Sequence, residues 1–94
     1  MHSFFGIGKT IMDGCKDASQ QYDFAIAAKN AGDQEIAIKH IEEAKRRLSG
    51  VKEWYDIGMR YIATEKQGSI AEDIMALLNQ QYREMLDKVN QFKL

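Results

Sequence analysis

IEEAKRRLSGVKEWYDIGMRYI, residues 41–62, decides the fold. Ile41, Ala44, Leu48, Val51, Tyr55, Gly58 and Ile62 recur within it at alternating spacings of three and four. That alternation places all of them on one side of a helix. Six of these seven positions carry an apolar or aromatic side chain, and the seventh is glycine. No proline occurs anywhere in the chain to interrupt the pattern. Gly50 and Gly58 each cost a helix about 1 kcal/mol relative to alanine, and Ser49-Gly50 is a candidate kink. The periodicity stays in phase across both, which favours one helix over two.

Working outward, Gly32-Asp33 marks a tight turn on the N-terminal side. Glycine tolerates the left-handed backbone that ends a helix, Asp33 can cap the next one, and Glu35 complements its dipole. The second helix is therefore expected over 34–65, closed by Lys66-Gln67-Gly68. A first helix is expected from near Ser3 or Ile7 to about Ala31 (about 7–31), along the line Ile11, Cys15, Ala18, Tyr22 and Ala25. Gly6, Gly8 and Gly14 weaken its start, so fraying is expected before Ile11. Ser69-Ile70-Ala71-Glu72 reads as a capping box. It opens a third helix over about 69–92, with Ala71, Ile74, Leu78, Tyr82, Met85, Val89 and Phe92 on one face and Met75, Leu77 and Leu86 broadening it.

Length then shapes the architecture. At 1.5 Å per residue the second helix is about 48 Å long, whereas a compact domain of this size is about 35 Å across. The expected fold is all-α: an elongated antiparallel hairpin plus a third helix, one domain over 1–94, with the three-helix bundle completed by dimerisation. Trp54, Ile57 and Tyr61 form a second apolar series beside the main stripe. With Ile62, Leu78 and Tyr82 they make up the expected interface, either within the chain or with a second copy.

Composition bounds the function. The chain has 94 residues, of which 45% are hydrophobic, enough to fold but only around a modest core. Thirteen basic and 14 acidic residues give a net charge of −1, which makes no case for nucleic acid. Lys45-Arg46-Arg47 follows Glu42-Glu43, so Glu42–Arg46 and Glu43–Arg47 are expected ion pairs on a solvated helix face. The lone Cys15 excludes an internal disulfide and sits on an apolar stripe as a small hydrophobe. No apolar run reaches membrane-spanning length and no signal-peptide core is evident, so a cytoplasmic location is expected.

Chemistry is sparse. Gly6-Ile7-Gly8-Lys9-Thr10 has the look of a P-loop end, but the pattern needs a glycine where Ser3 stands and a preceding strand. Phe4 to Lys9 is amphipathic enough to touch a membrane surface, yet Phe4 and Phe5 packing on a neighbour is the better reading. His40 and Glu43 lie one turn apart and, with a carboxylate from another helix or another chain, would hold a divalent metal. His2 lies near the terminus. Two histidines and one cysteine supply little material for nucleophilic catalysis. No cofactor is expected beyond that alternative of iron or another divalent metal.

The stretch Phe24-Ala25-Ile26-Ala27-Ala28-Lys29-Asn30-Ala31-Gly32-Asp33, followed by Ile36-Ala37 and Ile41-Glu42-Glu43-Ala44, resembles the first helical pair of ferritin-like, rubrerythrin-type proteins. The resemblance covers about residues 17–55. It implies a helical bundle and an oxidation-defence or metal-binding role. That family's chemistry requires a Glu on the first helix and E-x-x-H on the second. Aligned on the turn, those positions fall near Lys16 or Asp17 and at Arg47 and Gly50, so the usual di-iron ligands are missing. Three functions follow as expectations: a non-catalytic association or scaffold protein, a metal protein with a displaced site, and an adaptor that receives a partner helix.

Overall fold

The computed structural model describes residues 3–65 and 68–94, with Glu65 given by its backbone. It is all-α, with α1 over Phe4–Asn30, α2 over Gln34–Glu65 and α3 over Ser69–Asn90. Lys66 and Gln67 of the expected second turn, and His2, lie outside the described residues.

The turn between α1 and α2 forms as the glycine suggests. Gly32 has φ +82°, in the left-handed region where only glycine rests without strain. The Gly32 and Asp33 N–H groups donate back to Lys29 and Ala28 carbonyls at 3.0 and 2.9 Å, closing α1 with a Schellman motif. Asp33 Oδ1 then accepts from the Ile36 N–H at 3.2 Å and caps α2. Together these bonds reverse the chain within three residues and make the hairpin antiparallel.

The stripe of α2 faces inward as its spacing dictates. Ile41, Ala44, Leu48, Val51, Gly58 and Ile62 are buried, and Tyr55 is half-buried. α2 is unbroken across Ser49-Gly50. On α1, Gly14 sits against Val51, so closely that a side chain there would overlap the valine methyl. At Gly58, an added Cβ would lie 2.6 Å from Met75 Cε and 3.1 Å from Ile7 Cγ2. These two glycines set the close approach of the helices. From the sequence, Gly14 and Gly58 alike count as costs to their helices; the packing shows what each glycine allows.

The helices run up, down and up. Met75 of α3 packs near Ile7 of α1, Gly8 faces Leu78, and Tyr22 meets Phe92 edge-on at 6.4 Å. Numbers thus rise together along α1 and α3, which lie parallel. Two apolar clusters result. One, around Ile7, Ile11, Val51, Ile62 and Met75, fills the end where α1 begins. The other, around Ala18, Ala25, Ile41, Leu48 and Val89, fills the hairpin-turn end. Tyr82 packs against both. The bundle measures 51 × 22 × 14 Å with a radius of gyration of 15.2 Å, against about 13 Å for a compact chain of this length. It is the elongated form that the helix length requires.

Three expectations need correction. α1 does not wait for Ile11: it starts at Phe4, where Ser3 Oγ accepts from the Gly6 N–H at 3.0 Å, and Ile7 is fully buried beneath α2 and α3. Burial of Ile7 and the Ser3 cap offset the poor propensity of the glycines. The Ser69 capping box does not form, because the cap position falls one residue earlier, at Gly68, with no side-chain hydrogen bond. Ser69 is already helical, and the Ala71 N–H bonds the Gly68 carbonyl at 3.1 Å. Finally, Leu77 does not broaden the buried face of α3; Met75 does, and Leu77 points to solvent.

Candidate functional site

The residues expected at an interface divide into two groups. Ile62 and Leu78 are core residues of the single chain, each 5% exposed. The reason is register: α3 lies along the seam between α1 and α2, so the arc beside the α2 stripe meets α3. Trp54, Ile57, Tyr61 and Tyr82 are half-buried and pack against the first cluster. The surplus arc of α2 is thus largely covered from within.

His40 and Glu43 share one flank of α2 but have separate partners. His40 Nδ1 lies 2.7 Å from Gln21 Oε1, and its ring is tilted against Phe24 with centroids 5.3 Å apart. The Glu43 carboxylate accepts from Arg46 Nε at 3.0 Å and Arg47 Nε at 2.9 Å. The Arg46 hydrogen bonds, then those of Arg47, hold the Glu43 carboxyl down at about 2. Among the described residues no three His, Cys, Asp or Glu side chains gather as a metal site would require. Of the expected pairs on this face, Glu43–Arg47 forms, while Arg46 turns to Glu43 at i,i+3.

The positions that a ferritin-like alignment marks as ligands do come together. Arg47 Nη1 donates to Asp17 Oδ2 across the hairpin at 3.1 Å, and Gly50 lines the same shallow groove. What occupies that place is an exposed ion pair linking α1 to α2. Cys15 is buried, and burial pushes its thiol up from the ordinary value, so the thiolate is disfavoured.

A different surface stands out. The four most exposed large apolar side chains among the described residues are Phe5 at 82%, Ile70 at 74%, Leu77 at 61% and Met12 at 54%. All four lie on the α1–α3 side. Phe5 and Met12 are two turns apart on α1, and Ile70, Ile74 and Leu77 follow the four-three spacing on α3. Phe4, Phe5, Ile70 and Ile74 line a groove of about 370 Å³ between the helix starts. Further along the same seam, Met12, Lys16, Gln81, Glu84 and Lys88 line a second of about 430 Å³. The α3 line continues through Gln81, Glu84 and Lys88 at the same spacing, so apolar character gives way to charge along one face.

This face was missed in the sequence because Leu77 was merged with the core side of α3 and Ile70 was read only as part of the Ser69 capping box. Their signal was present: positions 70, 74 and 77 form a four-three series displaced by one residue from the buried 71, 75 and 78. Comparison with protein-family models, with curated proteins and with solved structures finds no match for this chain.

Proposed function

We propose that this chain is a non-catalytic, all-α association protein that works as a homo-oligomeric helical bundle. The observation that carries this reading is the gathering of Phe5, Met12, Ile70 and Leu77 on one face, all more than half exposed. Solvent contact of that much apolar surface is unfavourable by roughly 25 cal/mol per Å², and covering it supplies the drive to associate.

The size of the core supports the same conclusion. Among the described residues, the large side chains with almost no exposure are Ile7, Ile11, Leu48, Met75 and Val89. A core of that extent gives marginal stability to a lone chain, and association adds to it. The polar side chains fit a structural part: Arg46, Arg47, Glu43 and Asp17 pair with one another, as do Lys52 and Asp56 at 3.2 Å.

Light scattering coupled to size exclusion at low micromolar concentration tests the reading. The expected mass is twice the 10.8 kDa of the chain, or a higher multiple. A well-folded species of single-chain mass throughout that range refutes it.

A further inference from the structure

We infer that α3 is an exchangeable element, and that the groove it fills on the α1–α2 hairpin takes α3 of a second copy in a reciprocal swap. This rests on the association reading above and gives it a route.

The three helices are not held equally. α1 and α2 touch far more extensively than α3 touches either. Two side-chain bonds tie the same pair: Arg47 donates to Asp17 at 3.1 Å, and His40 Nδ1 lies 2.7 Å from Gln21 Oε1. α3 is seated by burial, through Met75, Leu78, Met85 and Val89, with Phe92 edge-on to Tyr22 beyond its end. The hydrogen bond that Gln80 donates to Glu84 stays within the helix. The two connections differ as well. Gly32 at φ +82° and the Asp33 cap fix the turn from α1 to α2. α3 begins after Gly68, at φ −75° and with no side-chain cap bond. Apolar burial is non-directional and reforms with any identical helix. Local opening therefore releases α3 first and leaves the ties of the hairpin in place.

The groove itself defines its occupant. Ile7, Ile11, Val51 and Ile62 line it, and Met75 and Leu78 of α3 complete the cluster. Every copy carries that same fitting helix. Covalent reach then fixes where two copies meet. α2 ends at Glu65 and α3 starts at Ser69, four peptide steps that span at most about 14 Å. An α3 handed to a neighbour starts within that distance of the end of its own α2. The crossing therefore lies at the end of the rod where α1 and α3 begin. Exchange by itself adds no contact, because each α3 enters the same kind of groove as before. What favours the dimer is the surface covered at the crossing. Phe5 and Ile70, at 82% and 74% the most exposed large apolar side chains among the described residues, stand at that end.

The test reads which chain supplies α3. In a Cys15→Ala background, Gly8→Cys with Leu78→Cys sets a thiol on α1 opposite one on α3, since a Cβ on Gly8 would lie 3.8 Å from Leu78 Cδ1. The two thiols face each other in the closed and the exchanged forms alike, so the geometry of the bond favours neither. After oxidation at about 100 μM, a denaturing, non-reducing gel should show a covalent dimer as the main bridged species. Bridged chains of single mass overturn the exchange. A second variant needs no thiols. Deleting Lys66 and Gln67 leaves two peptide steps between α2 and α3, at most about 7 Å, short of the 8–10 Å between packed helices. Its α3 cannot fold back on its own hairpin. Sedimentation velocity from about 1 to 100 μM should find this variant dimeric, with the helix content of the parent by circular dichroism; a monomer, folded or not, overturns the exchange. A parent chain that sediments as a dimer but bridges only within single chains keeps the association reading and loses this route. A parent that is monomeric across the range overturns both.

Discussion

Gly14 and Gly50 are both helical glycines, and alanine at the two positions should move stability in opposite directions. At Gly50 an added Cβ meets nothing within 4 Å, so Gly50→Ala gains helix propensity at no packing cost. The gain should be about 0.5–1 kcal/mol. For a domain of this size, 1 kcal/mol corresponds to roughly 4–8 °C in melting temperature. At Gly14 the same propensity gain is available, but the new methyl overlaps Val51 Cγ2. Valine is stiff about χ1 and cannot swing away, so α1 and α2 must separate or Val51 must leave its rotamer. Overpacking of this kind costs about 1–3 kcal/mol. Propensity cancels between the two variants, so their difference isolates the packing cost, and Gly14→Ala should lie about 1–3 kcal/mol below Gly50→Ala. Gly58→Ala should fall between them, because the nearest atom is the flexible end of Met75. Urea unfolding of the three variants and the parent at one chain concentration is the assay, since association shifts apparent stability. If Gly14→Ala stabilises as much as Gly50→Ala, the antiparallel register of α1 against α2 is wrong.

Gly32→Ala should destabilise by about 1–2 kcal/mol in urea unfolding although its side chain would touch nothing, because the cost is purely that of φ +82°. Met75→Ala should cost about 2–5 kcal/mol, since Met75 is fully buried where α3 meets Ile7 and Gly58; a change below 1 kcal/mol would mean α3 is not seated there. Glu43 should titrate near 2 by carboxyl-detected NMR. Its folded pKa lies below the ordinary 4.5, so its pairing stabilises the fold above about pH 4.5 and that contribution is lost as pH falls towards 2. Arg46→Gln with Arg47→Gln should return the midpoint towards the ordinary value; a midpoint already there in the parent contradicts the pairing.

The hairpin was legible in the sequence because its signals are local. The α2 stripe needs only 3.6-residue periodicity, and the Gly32-Asp33 turn needs only the backbone preference of glycine and the capping carboxylate of aspartate. The start of α1 was harder to read. Glycine has no hydropathy, so Gly14 looked like a defect, whereas it is the position on α1 where α2 presses closest. Ser3 as a cap was hidden by the glycines that follow it. α3 shows another limit. Its apolar residues span more than one face, and which part is buried depends on how α3 lies in the seam of the hairpin. Nothing local decides that. Of the arc expected to meet either a neighbouring helix or a second copy, Ile62 and Leu78 lie in the core of the single chain, whereas Leu77, read with the core side, is exposed. The Ser69 box failed for a related reason: a one-residue shift in where a helix begins moves the capping side chain inside it.

Cross-linking through Leu77 tests the central claim most directly, since the claim is that two copies meet at the α1–α3 face. In a Cys15→Ala background, Leu77→Cys and Met59→Cys each place one exposed thiol on the chain, the first on α3 and the second on α2, where Met59 is also exposed. Mild oxidation at low micromolar concentration should give a covalent dimer from Leu77→Cys within the time that Met59→Cys remains monomeric. Equal or faster cross-linking through Met59→Cys would contradict the account.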